Sequence, residues 1–125
     1  MNHGELVDLC NDIYIKLGHG HSESVYHRAL EVGLRLKNIS YESEKIVPVS
    51  YEGHVVGYCK LDLVINKSEI IELKSISSIK SKEMTQLNNY MKLTGIERGT
   101  VINFSMNGGK EVEKFSVPYT TNDDR

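Results

Sequence analysis

Asp62, Glu72 and Lys74 lie on a segment in which two apolar runs flank the polar triplet Asn66-Lys67-Ser68. Such a triplet between β-branched runs reads as the turn of a hairpin. If the turn centres on Lys67, Asp62 lies across from Glu72 and Val64 across from Ile70. Side chains alternate along a strand, so Leu61, Leu63 and Ile65 should share one face with Ile71 and Leu73, leaving Asp62, Glu72 and Lys74 on the other. Carboxylates placed side by side in an apolar sheet repel unless something neutralises them. A hard divalent cation that takes oxygen ligands, magnesium or manganese, does so directly. Lys74 is then placed to orient or help deprotonate an attacking water, or to steady charge developing on a phosphate. Taken alone, the spacing is better read as a solvated cross-strand ion pair.

Two further features favour chemistry. Gln86 and Tyr90 stand four residues apart in a helical stretch and share a face. Glu23 follows the glycine turn Gly18-His19-Gly20-His21, where the backbone can come close to a ligand. Together these residues resemble the PD-(D/E)xK nuclease superfamily, in its branch with a helical glutamate and a Gln-x-x-x-Tyr motif. The segment Gly20-His21-Ser22-Glu23-Ser24-Val25-Tyr26 also resembles the defining motif of the small GxxExxY proteins of that superfamily. The resemblance runs from Leu6 to Phe104, and its specificity comes from four motifs occurring in order. It implies a restriction-endonuclease-like core and hydrolysis of phosphodiester bonds by metal-activated water, with DNA as substrate and 5′-phosphate and 3′-hydroxyl products. It also implies that Glu23, Asp62, Glu72 and the carbonyl of Leu73 hold Mg2+ or Mn2+. In the same mapping Lys74 is the catalytic lysine, and Gln86 and Tyr90 brace the site and contact the substrate strand. Leu61 stands where many relatives have the motif's proline.

Neighbouring residues invite other readings. His19 and His21 suggest zinc, but two positions apart in a loop is poor ligand spacing, and exposed loop residues is the better account. His27, one helical turn after Glu23, reads equally as a site or a packing residue. Lys80 and Lys82 are placed either to meet phosphates or simply to be solvated. Tyr26 reads as a packing residue that fixes its helix.

The elements that must position these residues follow from periodicity. Leu6, Leu9, Cys10, Ile13 and Leu17 mark one face of a helix from Glu5 to Leu17. Ser22 reads as the cap of a second helix reaching Lys37. Its two apolar stripes, Val25-Ala29-Val32-Leu36 and Tyr26-Leu30-Gly33, predict burial on more than one side. Strands are expected over 46–51, with Pro48 at an edge or bulge, and over 55–65, bent at Gly57, and 69–74. A helix from Ile79 to Thr94 closed by Gly95, strands over 100–105 and 111–117, and a frayed tail from Thr120 complete the order ααβββαββ. This is an α/β domain over 1–125, a mixed central β-sheet flanked by helices.

The bulk numbers bound the function. A chain of 125 residues has room for one core. No apolar run approaches a bilayer span, and the N-terminus lacks signal-peptide character, so no membrane partner and an intracellular, cytoplasmic location are the default. Cys10 and Cys59 read as small buried hydrophobes. The net charge of −2 is unusual for a nucleic-acid binder and lowers the expected affinity without bearing on the chemistry. It leaves three readings: an active nuclease, a binding or scaffolding module with a retained fold, or a subunit completed by a homodimer or by a helicase or repair partner.

Overall fold

The computed structural model describes residues 1–118, so the tail expected to fray from Thr120 lies outside the described residues. Helix α1 (His3–Leu17) begins two residues earlier than its periodicity suggests. The Asn2 side chain accepts from the Glu5 N–H while the Glu5 carboxylate accepts from the Asn2 N–H, a reciprocal cap that satisfies two otherwise orphaned donors. Helix α2 (Glu23–Leu36) has no such cap: Ser22 Oγ lies 3.1 Å from Ser24 Oγ and makes no capping bond. The two helices cross closely at Gly33, where a Cβ would come within 2.6 Å of Leu9 Cδ1.

Five strands follow: β1 (Tyr41–Tyr51), β2 (His54–Ile65), β3 (Glu69–Lys74), β4 (Gly99–Asn103) and β5 (Glu113–Val117). Helix α3 (Ser81–Thr94) connects β3 to β4 and ends at Gly95, whose φ of 73° is the left-handed conformation a helix stop favours. The strands lie in one sheet in chain order, with β3 and β4 parallel and every other pair antiparallel. The parallel pair is what requires α3 as a crossover. Pro48 sits on edge strand β1, close to a bulge where the register shifts between Val49 and Ser50.

Each face of the sheet has its own core. Leu63, Ile65, Ile71, Leu73, Ile102 and Phe104 pack against α1 and α2. Leu61, Val64, Ile70 and Val101 pack against Leu87 of α3. This corrects two expectations. Leu61 does not share a face with Leu63 and Ile65, because the β1–β2 pair is distorted between them. Glu44, which falls between the pairs Ser43–Leu63 and Lys45–Leu61, takes a left-handed φ of 54°. On either side of it the strand changes sense, so that Tyr41 packs in the first core and Val47 in the second. Helix α2 is buried on one side only, through Tyr26, His27, Leu30, Glu31 and Leu34; Val25, Val32 and Leu36 face outward. Periodicity identifies an apolar stripe but does not supply the neighbour that would cover it.

Candidate active site

The β2–β3 ladder has the expected register, pairing Ile65 with Glu69, Val64 with Ile70 and Leu63 with Ile71, and there the pairing stops. At the next position the side chains take over from the backbone. The Asp62 N–H donates to the Glu72 carboxylate at 2.8 Å, and the Leu73 N–H donates to the Asp62 carboxylate at 2.7 Å. The two strands are thus joined through their carboxylates at the point where they part.

Glu72 is 4% exposed. Burial pushes its carboxyl up to about 8, and the Asp62 carboxylate adds to the rise, while the Asp62 N–H and Lys74 oppose it and Glu23 adds a little more. Glu23, at the first position of α2, is more exposed; desolvation raises its carboxyl, with Lys74 opposing and Asp62 reinforcing the shift. Tyr90, half-buried on α3, is raised first by desolvation and then by its neighbours Glu72, Cys59 and Asp62, and the neighbouring Gln86 amide pulls it back. Each of the sequence-derived side chains Glu23, Asp62, Glu72, Lys74, Gln86 and Tyr90 therefore acts electrostatically on at least one other, across β2, β3, α2 and α3. Asp62 and Glu72 are tied together through backbone N–H groups of the two strands. Among the described residues no three His, Cys, Asp or Glu side chains form a ready-made metal cluster.

The loop before Glu23 is held from both ends. The Tyr26 hydroxyl donates to the Gly18 carbonyl, and Ser75 Oγ, next to Lys74, donates to the His21 carbonyl at 2.8 Å. Tyr26 is fully buried and stacks on Phe104 with ring centroids 4.3 Å apart, so it packs as its position suggested. His21 Nε2 lies 3.0 Å from the Leu17 carbonyl, and its ring meets Tyr26 edge-on. His19 packs beside Gly108. His27 is buried, with Nε2 2.9 Å from Ser43 Oγ and 3.3 Å from the Glu31 carboxylate. It helps tie α2 to β1. Burial alone would raise Glu31, but Arg28, His27, Ser43 and Tyr41 outweigh it and hold the carboxyl below its ordinary value.

Sequence reasoning missed a second set of positioning residues. The fully buried Asn103 donates to the Ile76 carbonyl and to Glu113 Oε1 and accepts from the Ile76 N–H. Glu113 Oε1 also accepts from the Ile79 N–H at 2.7 Å. This clasp fixes the segment between Lys74 and α3, and hence where Gln86 and Tyr90 stand relative to the carboxylates. A polar Asn closing the apolar run Thr100-Val101-Ile102 was the available signal, since a buried amide needs partners.

The family model for the PD-(D/E)XK nuclease superfamily matches residues 2–115 of this chain. The chain belongs to that superfamily. Its five-stranded mixed sheet flanked by three helices is the restriction-endonuclease-like fold. Among solved structures it is similar to the crystal structure of SSO0001, with a TM-score of 0.59 and 21% identity over 80% of this chain and 51% of that one. That likeness concerns the fold, and this chain spans about half the length of that protein. No curated protein matches the chain. Nucleases of this superfamily generally use divalent metals. The residues here suit one: a carboxylate pair of hard oxygen donors, with Glu72 buried and Asp62 half-buried, is a fitting seat for a hard cation. No helix among the described residues is long and apolar enough to cross a membrane.

Proposed function

We propose that this protein is a nuclease of the GxxExxY branch that hydrolyses phosphodiester bonds of DNA with Mg2+ or Mn2+, leaving 5′-phosphate and 3′-hydroxyl ends. The observation that carries the reading is the Asp62–Glu72 pair, each carboxylate bonded to the other strand's N–H, with Lys74 beside them. A purely structural ion pair would place a cation between those carboxylates. Here burial first and the second carboxylate next raise Glu72 even with Lys74 opposing, so ionising the pair costs stability unless a ligand offsets it.

In this reading Asp62, Glu72 and the Leu73 carbonyl hold the metal, with Glu23 approaching from the start of α2. A divalent ion held there would supply Lewis acidity toward a water and the leaving oxygen. Lys74 holds the attacking water and offsets charge on the scissile phosphate. Gln86 and Tyr90 brace the nucleic-acid strand from α3. The clasp around Asn103 keeps α3 at the distance this requires.

The test is incubation of the protein with labelled single- and double-stranded DNA and RNA in magnesium or manganese, beside Lys74→Ala. Cleavage abolished by EDTA and by the substitution is the expected result, with 5′-phosphates on the products. Binding without metal-dependent cleavage across the panel would overturn catalysis in favour of a nucleic-acid-binding module.

A further inference from the structure

Charge is distributed unevenly among the elements around the site. Lys16, Arg28, Arg35, Lys45 and Lys60 each lie within ion-pair distance of a carboxylate. Lys80, just before α3, and Lys82 and Lys92 on it are exposed, and among the described residues none of the three meets one. The helix is also short of acid. Glu83 is the one carboxylate in its 14 residues, and it is turned back to accept from the Lys80 N–H at 2.8 Å. By contrast α1 carries Glu5, Asp8 and Asp12, and the β1–β2 hairpin carries Glu42, Glu44 and Glu52. Lys82, Thr85, Asn89 and Lys92 recur at helical spacing, so they share one face of α3, and all four are exposed. Gln86, one turn after Lys82, is half-buried and borders that face on the side of Tyr90 and the carboxylates.

We propose that this outward face of α3 binds the sugar-phosphate backbone of nucleic acid and leads a strand to the Asp62–Glu72 site. Phosphate is the partner because Lys82 and Lys92 hold charge not committed to a carboxylate, and a cation that neutralises a phosphate gains the release of its counterions. Thr85, Gln86 and Asn89 add neutral hydroxyl and amide groups, which contact phosphate and sugar without reading sequence. From Lys82 to Lys92 the helix rises about 15 Å, the length of roughly four nucleotides stacked at about 3.4 Å each. The net charge of −2 does not oppose this, because the excess acid lies on other elements and a strand responds to the local field. The role of the face as a guide to the site rests on the nuclease reading, whereas binding itself does not.

Fluorescence anisotropy of labelled oligothymidylate and oligouridylate with the full chain tests this, in EDTA and across a salt series. Lys82→Ala and Lys92→Ala, checked for native circular dichroism, should each weaken binding severalfold and lower the slope of log Kd against log salt by about one. Lys37→Ala is the control. Lys37 caps the end of α2 remote from Glu23 and lies beside Glu5 and Asp12, so its loss should leave both quantities unchanged. A measurement on the wild type guards against misfolded variants: oligonucleotide should protect Lys82 and Lys92, and not Lys37, from acetylation. Absence of binding at low salt, an unchanged slope in folded variants, or an equal loss in Lys37→Ala would each overturn the surface. Equal protection by polyglutamate would assign the face to an acidic protein instead. Binding that depends on Lys82 and Lys92 without any cleavage would sink the nuclease reading and leave this surface standing. Cleavage with KM unaltered in both variants would do the reverse.

Discussion

Glu72 combines deep burial with a close carboxylate neighbour, and that combination has a sign. Its carboxyl sits at about 8 in the folded chain against an ordinary 4.5, so folding favours its protonated form. Below about pH 4.5 the residue is protonated folded and unfolded alike, and nothing is lost. As pH rises from there to 8 the unfolded chain releases its proton first, so metal-free stability falls across that window and levels off above it. Urea titrations in EDTA at a series of pH values should show the decline, and Glu72→Gln should flatten it. In the proposed mechanism Lys74 acts chiefly on the substrate. In Lys74→Ala, kcat is expected to drop on the order of 10²–10³-fold with little change in the urea midpoint. The residue types at these positions were legible because a hairpin register needs only alternation and a turn. The bonds from Asp62 and Leu73 N–H to carboxylates were not, since they arise where the ladder opens, and no local pattern records that.

Between the residue and the sheet stand the connections that hold α3 and α2 in place. Glu113 Oε1 gathers the Ile79 N–H and the Asn103 amide. Glu113→Ala leaves both donors without that acceptor, and a loss of about 1–3 kcal/mol in urea unfolding is expected. Activity should fall as well, because α3 carries Gln86 and Tyr90. The element order and most boundaries followed from periodicity, β3 to the residue. The errors share one cause. Leu61 changes face because Glu44 adopts a left-handed φ, and the outer stripe of α2 lacks a covering element. Both outcomes depend on what lies next to a segment in space. The early start of β1 at Tyr41 belongs here too: Tyr41-Glu42-Ser43-Glu44 is too polar to read as a strand, but it pairs with the strongly apolar end of β2.

At the scale of the molecule, a ligand that binds only the folded chain adds to its stability by mass action. Magnesium or manganese at about 100 times its dissociation constant should add about 2.7 kcal/mol, and EDTA should remove it. Thermal melts across a metal series check this, and Glu72→Gln should abolish the shift. The sheet's connectivity has a kinetic corollary. Strands β1, β2 and β3 pair through short turns, whereas β4 joins β3 only after the whole of α3 has been laid down between them. Local pairings form ahead of distant ones, so the Asp62–Glu72 hairpin should assemble while still wet and ionised. The last packing of α3 and β4 must then strip water from a charge. Stopped-flow refolding in EDTA should accordingly be slower at pH 8 than at pH 5, and added divalent cation should restore the rate. The speed at which this chain folds would then depend on the ion that the proposed site would hold.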